Sequence, residues 1–288
     1  MACLGAMSGV QKLQLSRGAT HVCWDSPPEG ADSGPLVLLV HGATVPSWQF
    51  ERLVPELTKA GFRTLRMNLY GHGDSSKPRG PLPIEVLIEQ VEEVLEAVSI
   101  DESLSALGHS LGAAVLAGAA SNHPHRFDKI MLVAPMLDYM ALNPATRMLR
   151  VPLLGELITH LYTVPMLVRR RRRRYGAIGC HDLAERFVRQ TRIPGFGRAL
   201  LSLFRSGALS DQSRQYRKLA GTPIVVRLVW GSGDTIVCAE HVERVKALLG
   251  DAIGCDVFAD LEHNLLMSHP REVTPVLVRF LSPAGHSL

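Results

Sequence analysis

Three side chains far apart in the chain, Ser110, Asp234 and His263, are of the types that together perform nucleophilic catalysis. Ser110 stands in Gly108-His109-Ser110-Leu111-Gly112, after the apolar Leu104-Ser105-Ala106-Leu107 and before a run of small residues, 113–120. Strand, sharp turn and helix is the context in which a serine is lifted out as an exposed nucleophile. Its neighbours two residues either side crowd such a turn, so Gly108 and Gly112 read as space-makers. The turn also sets Ser110 at a helix N-terminus, where unpaired N–H groups favour developing negative charge.

A serine hydroxyl needs a base to take its proton, and the base needs a carboxylate to orient it. In this architecture the chain order is serine, then acid, then histidine, with each residue at the end of a strand. Asp234 fits the acid: it follows the apolar strand 224–230 through the turn Gly231-Ser232-Gly233. Asp138 is its rival, but no Gly-rich turn delivers it. His263, in the loop between the strand 255–258 and the last helix, fits the base; its rival His269 directly precedes Pro270 at that helix start. His109 neighbours the serine, but successive side chains at the elbow point apart, so it is expected to pack against the nucleophile loop. The backbone N–H groups of Leu111 and Ala43 are the candidate oxyanion donors. His41 is expected to bond within its own loop, and His72 to brace the loop Tyr70-Gly71-His72-Gly73-Asp74-Ser75.

The elements that must position these groups alternate. Val10 to Leu15 and Thr20 to Trp24 read as an antiparallel edge pair. Leu36-Val37-Leu38-Leu39-Val40 is a strand buried on both faces, and 62–69, 130–133, 224–230 and 255–258 are further strands. A helix is expected from about Trp48 to Leu57. Ile84 to Val98 carries an apolar stripe at helical spacing, and the chain closes on a helix from Pro270 to Phe280. Alternating strands and helices imply an α/β fold with a mainly parallel sheet flanked by helices. Only helix-like pieces lie between residues 136 and 220. The expected partition is an N-terminal tail (1–9), a core (10–135 and 221–282) and an inserted helical cap (136–220) over the carboxyl ends of the strands.

The 288 residues are 46% hydrophobic and 20% charged, enough for a sizeable core. The net charge is +4, much of it in six consecutive arginines, Arg169 to Arg174. No nucleic-acid motif, membrane-length apolar run or signal-peptide pattern is present. The last three residues are not a peroxisomal Ser-Lys-Leu. Five scattered cysteines without metal-ligand spacing suit free thiols in a reducing compartment, so the cytosol is the expected location.

His41-Gly42-Ala43, Tyr70-Gly71-His72-Gly73-Asp74-Ser75, Gly108-His109-Ser110-Leu111-Gly112, Gly233-Asp234 and the stretch from His263 to Pro270 fall in the order of the α/β-hydrolase superfamily. The chain resembles its capped esterases and monoacylglycerol-lipase-like members from about residue 10 to 281, the cap excepted. The resemblance implies a serine hydrolase with the triad Ser110, Asp234, His263 and neither cofactor nor metal. Its substrate would be an ester with a fairly apolar acyl group. The final loop departs from the pattern: Glu262 stands before His263 where the family usually has glycine. Serine at the elbow argues against haloalkane dehalogenases and epoxide hydrolases, which carry aspartate there. A thioesterase on acyl-CoA or acyl-carrier protein would use the same triad, a C–C hydrolase of diketones is chemically compatible, and the superfamily includes small-molecule receptors. The arginine run is expected to be largely exposed, because neighbours on one helix face repel, and to offer an anionic partner a landing point.

Overall fold

The apolar run at 36–40 forms strand β3 (Leu36–Val40), whose five residues are all buried. Alternate side chains leave a strand on opposite faces. Leu36, Leu38 and Val40 join one apolar cluster, and Val37 and Leu39 join another. The computed structural model describes residues 9–27, 34–100, 102–177, 179–250 and 253–282. Residues 1–8 of the expected tail, with Cys3 of the five cysteines, and the last three residues lie outside them.

Among the described residues the other strands are β1 (Gly9–Leu15), β2 (Gly18–Asp25), β4 (Arg63–Met67), β5 (Leu104–His109), β6 (Phe127–Val133), β7 (Val225–Gly231) and β8 (Cys255–Phe258). They form one sheet in the order β1-β2-β4-β3-β5-β6-β7-β8. β2 is antiparallel to β1 and β4, and the remaining pairs are parallel. The parallel register sets Val40 beside Gly108, His109 beside Val133 and Gly231 beside Phe258. The loops after β3, β5, β7 and β8 therefore open at the same edge of the sheet.

Helices α1 (Val54–Lys59) and α12 (Pro270–Leu281) bury Leu57, Val273 and Leu277 with Val37 and Leu39 on one face. On the other face α2 (Ile84–Ala97) and α3 (Leu111–Asn122) pack together and bury Leu87, Val91 and Val115 with Leu38 and Val40. The helix expected from Trp48 to Leu57 is broken. A 3-10 turn occupies Ser47–Phe50 and α1 restarts at Val54. Pro55 is the reason: it lacks an N–H and its ring clashes with the carbonyl one turn back, so it is tolerated only in a first turn.

Between β6 and β7 the described chain is helical: α4 (Tyr139–Leu142), α5 (Leu154–Ile158), α6 (Val164–Ala177), α7 (His181–Arg192), α8 (Phe196–Arg205) and α9 (Ser213–Ala220). A π-helical turn, Thr159–Thr163, joins α5 to α6. α9 packs against α3 and against α10 (Ala239–Leu249), so it flanks the sheet. α6 and α7 pack on Val45, Trp48 and Met267 through Tyr175, Leu183 and Phe187. Met267 belongs to the short α11 (Leu265–Ser268). No helix among the described residues is long and apolar enough to cross a membrane.

Candidate active site

Ser110 joins β5 to α3 with φ 55° and ψ −115°, a conformation that side-chain-bearing residues rarely hold. The surroundings over-determine it. Its N–H donates to the Val133 carbonyl at 2.9 Å, and its carbonyl accepts the Ala113 N–H at 3.1 Å and the Met136 N–H at 3.3 Å. A Cβ on Gly108 would lie 2.5 Å from the Gly112 carbonyl oxygen, and one on Gly112 would lie 2.6 Å from that of His41. The two glycines let α3 start directly against β3 and β5.

Asp234 and His263 come together. His263 Nδ1 and Asp234 Oδ2 are 2.7 Å apart, and both residues are buried. The other carboxylate oxygen, Oδ1, accepts the N–H groups of Ile236 at 2.7 Å and Val237 at 3.0 Å. Burial pushes the Asp234 carboxyl up, but His263 and these two donors outweigh it and hold the group below the usual carboxylate range. Asp234 is thus an anion that accepts a hydrogen bond from Nδ1–H, which leaves Nε2 as the ring nitrogen that can take a proton. Two staples fix this spacing. Gly233 N–H donates to the Leu261 carbonyl at 3.0 Å, and Asp260 N–H to Ser232 Oγ at 2.9 Å. A Cβ on Gly233 would lie 2.7 Å from the Asp260 carbonyl oxygen, so the approach of the two loops requires that glycine. Asp260, at φ 59°, makes the left-handed turn of the final loop.

Three further histidines are braces. His109 Nε2–H donates to the His263 carbonyl at 2.8 Å, and the two rings lie 4.7 Å apart. Burial, with His263 alongside, lowers the His109 imidazole to about 3, so it is neutral. His41 Nε2 accepts the Leu69 N–H at 2.9 Å while Nδ1–H donates to the Gly42 carbonyl at 2.7 Å. His72 Nε2–H donates to the Ala43 carbonyl at 2.7 Å. These bonds hold the turn after β3, whose Gly42 and Ala43 line the same cavity as Ser110. Leu111 opens α3, where an N–H has no acceptor within the helix.

That cavity has a volume of about 220 Å³ and is lined by Ser110 and His263 from the sheet edge and by residues of α4, α6 and α8 above it. Its walls are mostly apolar, with Met136, Leu149, Ile158, Leu200, Phe204 and Leu209 among them. Tyr162 and Arg170 also line it and are exposed, so they mark its mouth. The rival residues lie elsewhere in the bonding pattern. Asp138 accepts the Ala141 N–H at 2.9 Å as the N-cap of α4, and His269 Nδ1 faces Ser268 Oγ at 2.8 Å. No group of three or more His, Cys, Asp or Glu among the described residues could hold a metal ion.

The arginine run is largely exposed, with two departures. Arg169, Arg170, Arg172 and Arg173 are exposed, but Arg171 is only 8% exposed, and Arg174 pairs with Glu262 at 2.6 Å. On α6, Arg171 lies one turn from Leu167 and one turn from Tyr175, both on the packed side. Six consecutive helical residues cover the whole circumference, so one of them must face inward.

The model of the alpha/beta hydrolase fold family matches residues 35–270. The chain belongs to the α/β-hydrolase fold family. A Mycobacterium tuberculosis relative of uncharacterised function is 26% identical over 267 residues, covering 87% of this chain and 76% of its own. Epoxide hydrolase B of the same organism is 34% identical over 123 residues, 42% of this chain and 34% of that one. The crystal structure of a hydrolase from Pseudomonas aeruginosa superposes with a TM-score of 0.71 at 23% identity, covering 95% of this chain and 98% of that one. Against this α/β-hydrolase frame, sequence reasoning passed over Arg171, Asn264 and Thr44 as cavity residues. The Leu167, Arg171, Tyr175 spacing was the available signal for the first; nothing local marks the other two.

Proposed function

We propose that this α/β-hydrolase is a serine hydrolase that cleaves a carboxylic ester through an acyl-enzyme. The observation that carries the reading is the 2.7 Å contact of His263 Nδ1 with Asp234 Oδ2 in a cavity that Ser110 also lines. Ser110 Oγ attacks the ester carbonyl carbon while its proton passes to His263 Nε2. The carbonyl oxygen becomes an oxyanion that takes the N–H groups of Ala43 and Leu111. Collapse breaks the bond to the alcohol oxygen, which receives the proton from Nε2, and leaves the acyl group on Oγ. Water then repeats the sequence and releases the carboxylic acid. Asp234 holds the imidazole in the required tautomer and stabilises the imidazolium. The helices α4 to α8 act as the cap, and the apolar walls accept the acyl chain.

Epoxide hydrolase B does not transfer its activity to this chain: the elbow residue here is serine, which supports ester over epoxide chemistry. A thioester of an anionic carrier is the second reading, supported by Arg169, Arg170 and Arg173, for which the described residues offer no carboxylate within ion-pair distance. A panel of esters and acyl-CoA thioesters of matched acyl length separates the two readings. Ser110→Ala is expected to fold, to lose turnover and to lose labelling by a fluorophosphonate. Labelling of the variant at another serine removes Ser110 from its role, and a wild type that turns over neither class overturns both the ester and the thioester reading.

A further inference from the structure

We propose that Arg171 forms an anion subsite inside the cavity, and that the ester cleaved here carries a free carboxylate within a few bonds of its scissile carbonyl. The scissile bond rests on the hydrolase reading above; the anion rests on the geometry of α6. Arg171 is 92% buried (8% exposed) and lines the cavity with Ser110. Its guanidinium carbon lies 5.8 Å from the Tyr175 ring centre and 5.6 Å from that of Phe187, two buried aromatic walls. Nη2 donates to Thr44 Oγ1 at 3.0 Å and Nη1 to the Tyr175 hydroxyl at 3.4 Å. A guanidinium has five N–H donors, and both of these acceptors are neutral. Arg172 and Arg174 on the same helix face Glu185 and Glu262, whereas no described carboxylate lies within ion-pair distance of Arg171. A cation withdrawn from water without a counter-charge is unfavourable, and a bound anion supplies that charge.

The rest of the lining agrees. It contains a second cation, Arg170, and no Asp or Glu. Asn264, 7% exposed, lines the same cavity, and its Nδ2 is buried without a hydrogen-bond partner. A guanidinium fork and an amide N–H suit a carboxylate, whose two oxygens are acceptors only. Thr44 directly follows Ala43, so an anion on Arg171 lies beside the turn that faces the carbonyl. The phosphates of coenzyme A do not fit there, because the whole pantetheine arm separates them from the thioester. The subsite therefore takes a carboxylate of the substrate itself, such as the free acid of a dicarboxylic half-ester.

Two p-nitrophenyl esters of succinic acid test this, one with the second carboxyl free and one with it masked as a methyl ester. The wild type is expected to favour the free acid by about tenfold or more in kcat/KM, chiefly through KM. Arg171→Met is expected to bring that ratio near one, and Arg171→Lys to restore part of it. A wild-type ratio near one overturns the proposal without any variant. An equal loss on both esters in Arg171→Met also overturns it and makes Arg171 a brace for Thr44. A second arm uses Ser110→Ala, which removes the nucleophile and so the turnover: monomethyl succinate, dimethyl succinate and inorganic phosphate are compared by their effect on Tm. Monomethyl succinate alone is expected to raise Tm, in Ser110→Ala and not in the double variant Ser110→Ala, Arg171→Met. No shift, or a shift with phosphate only, overturns the carboxylate subsite. A wild type that binds monomethyl succinate yet neither hydrolyses esters nor takes a fluorophosphonate at Ser110 keeps the subsite and loses the hydrolase reading.

Discussion

Asp138 and Asp234 are both aspartates at the end of a parallel strand, and their hydrogen bonds separate them. Asp138 uses its carboxylate to cap a helix through the Ala141 N–H, while Asp234 divides its two oxygens between backbone donors and His263 Nδ1. Asp234→Asn offers an N–H or a neutral carbonyl where the imidazole needs an anion. It is expected to lower kcat by about 10⁴ with little change in fold, as in the triad aspartate replacement that serves as the general reference. Asp138→Asn is expected to leave kcat within a few-fold, and Asp138→Ala to cost about 1 kcal/mol of stability as a lost cap. Steady-state rates on one ester, with urea unfolding of each variant, check both. The reverse ranking of the two asparagine variants would move the acid to β6.

α3 and α6 show how an element sets what its residues can do. α3 starts so close to β3 and β5 that Gly112 has no room for a methyl group, with the carbonyl oxygens of Val40 and His41 in the way. These are backbone atoms that cannot rotate aside. Gly112→Ala is therefore expected to cost about 1–3 kcal/mol as overpacking and to lower kcat/KM by displacing the Leu111 N–H. Thermal unfolding and ester turnover measured together distinguish this from a loss of stability alone. On α6 the helical turn sends Arg171 inward and leaves Arg169, Arg170 and Arg173 in solvent. Exposed charges act at range and are screened by salt. Replacing those three with glutamine is expected to raise KM for an acyl-CoA thioester and flatten the salt dependence of kcat/KM. Equal effects on a neutral ester would discard steering.

At the scale of the whole molecule, three buried neutral histidines join the loops around the site: His41, His72 and His109. Burial lowers all three, His109 from 6.5 to about 3. In the unfolded chain an imidazole takes a proton near 6.5, whereas folded His109 does so only near 3. Between these values the unfolded state holds more protons, so unfolding free energy rises with pH. The contribution is complete above 6.5 and is lost as pH falls toward 3. The wild type is expected to lose urea stability between about pH 7 and about pH 5, and His109→Gln to lose less over the same interval. An unchanged slope in the variant assigns the acid sensitivity to other groups.

Much of the frame was legible in local pattern. The unbroken apolar run of Leu36–Val40, the helical stripe of Ile84–Ala97 and the small residues around Ser110 each depend on neighbours a few positions away. So do the strand-end positions of Asp234 and His263, which follow from reading strand against loop. What joins Asp234 to His263 is not local. It depends on β7 and β8 pairing in parallel register and on the Gly233 and Asp260 turns bonding across the gap. The break at Pro55 and the capping role of Asp138 were each visible in residue type but decided by competing bonds. The six arginines are the clearest division. Their sequence is uniform, so nothing in it distinguishes one from another. Only the packing of Leu167 and Tyr175 under α6 fixes the helix rotation that leaves four in water, pairs Arg174 with Glu262 and buries Arg171 beside Thr44.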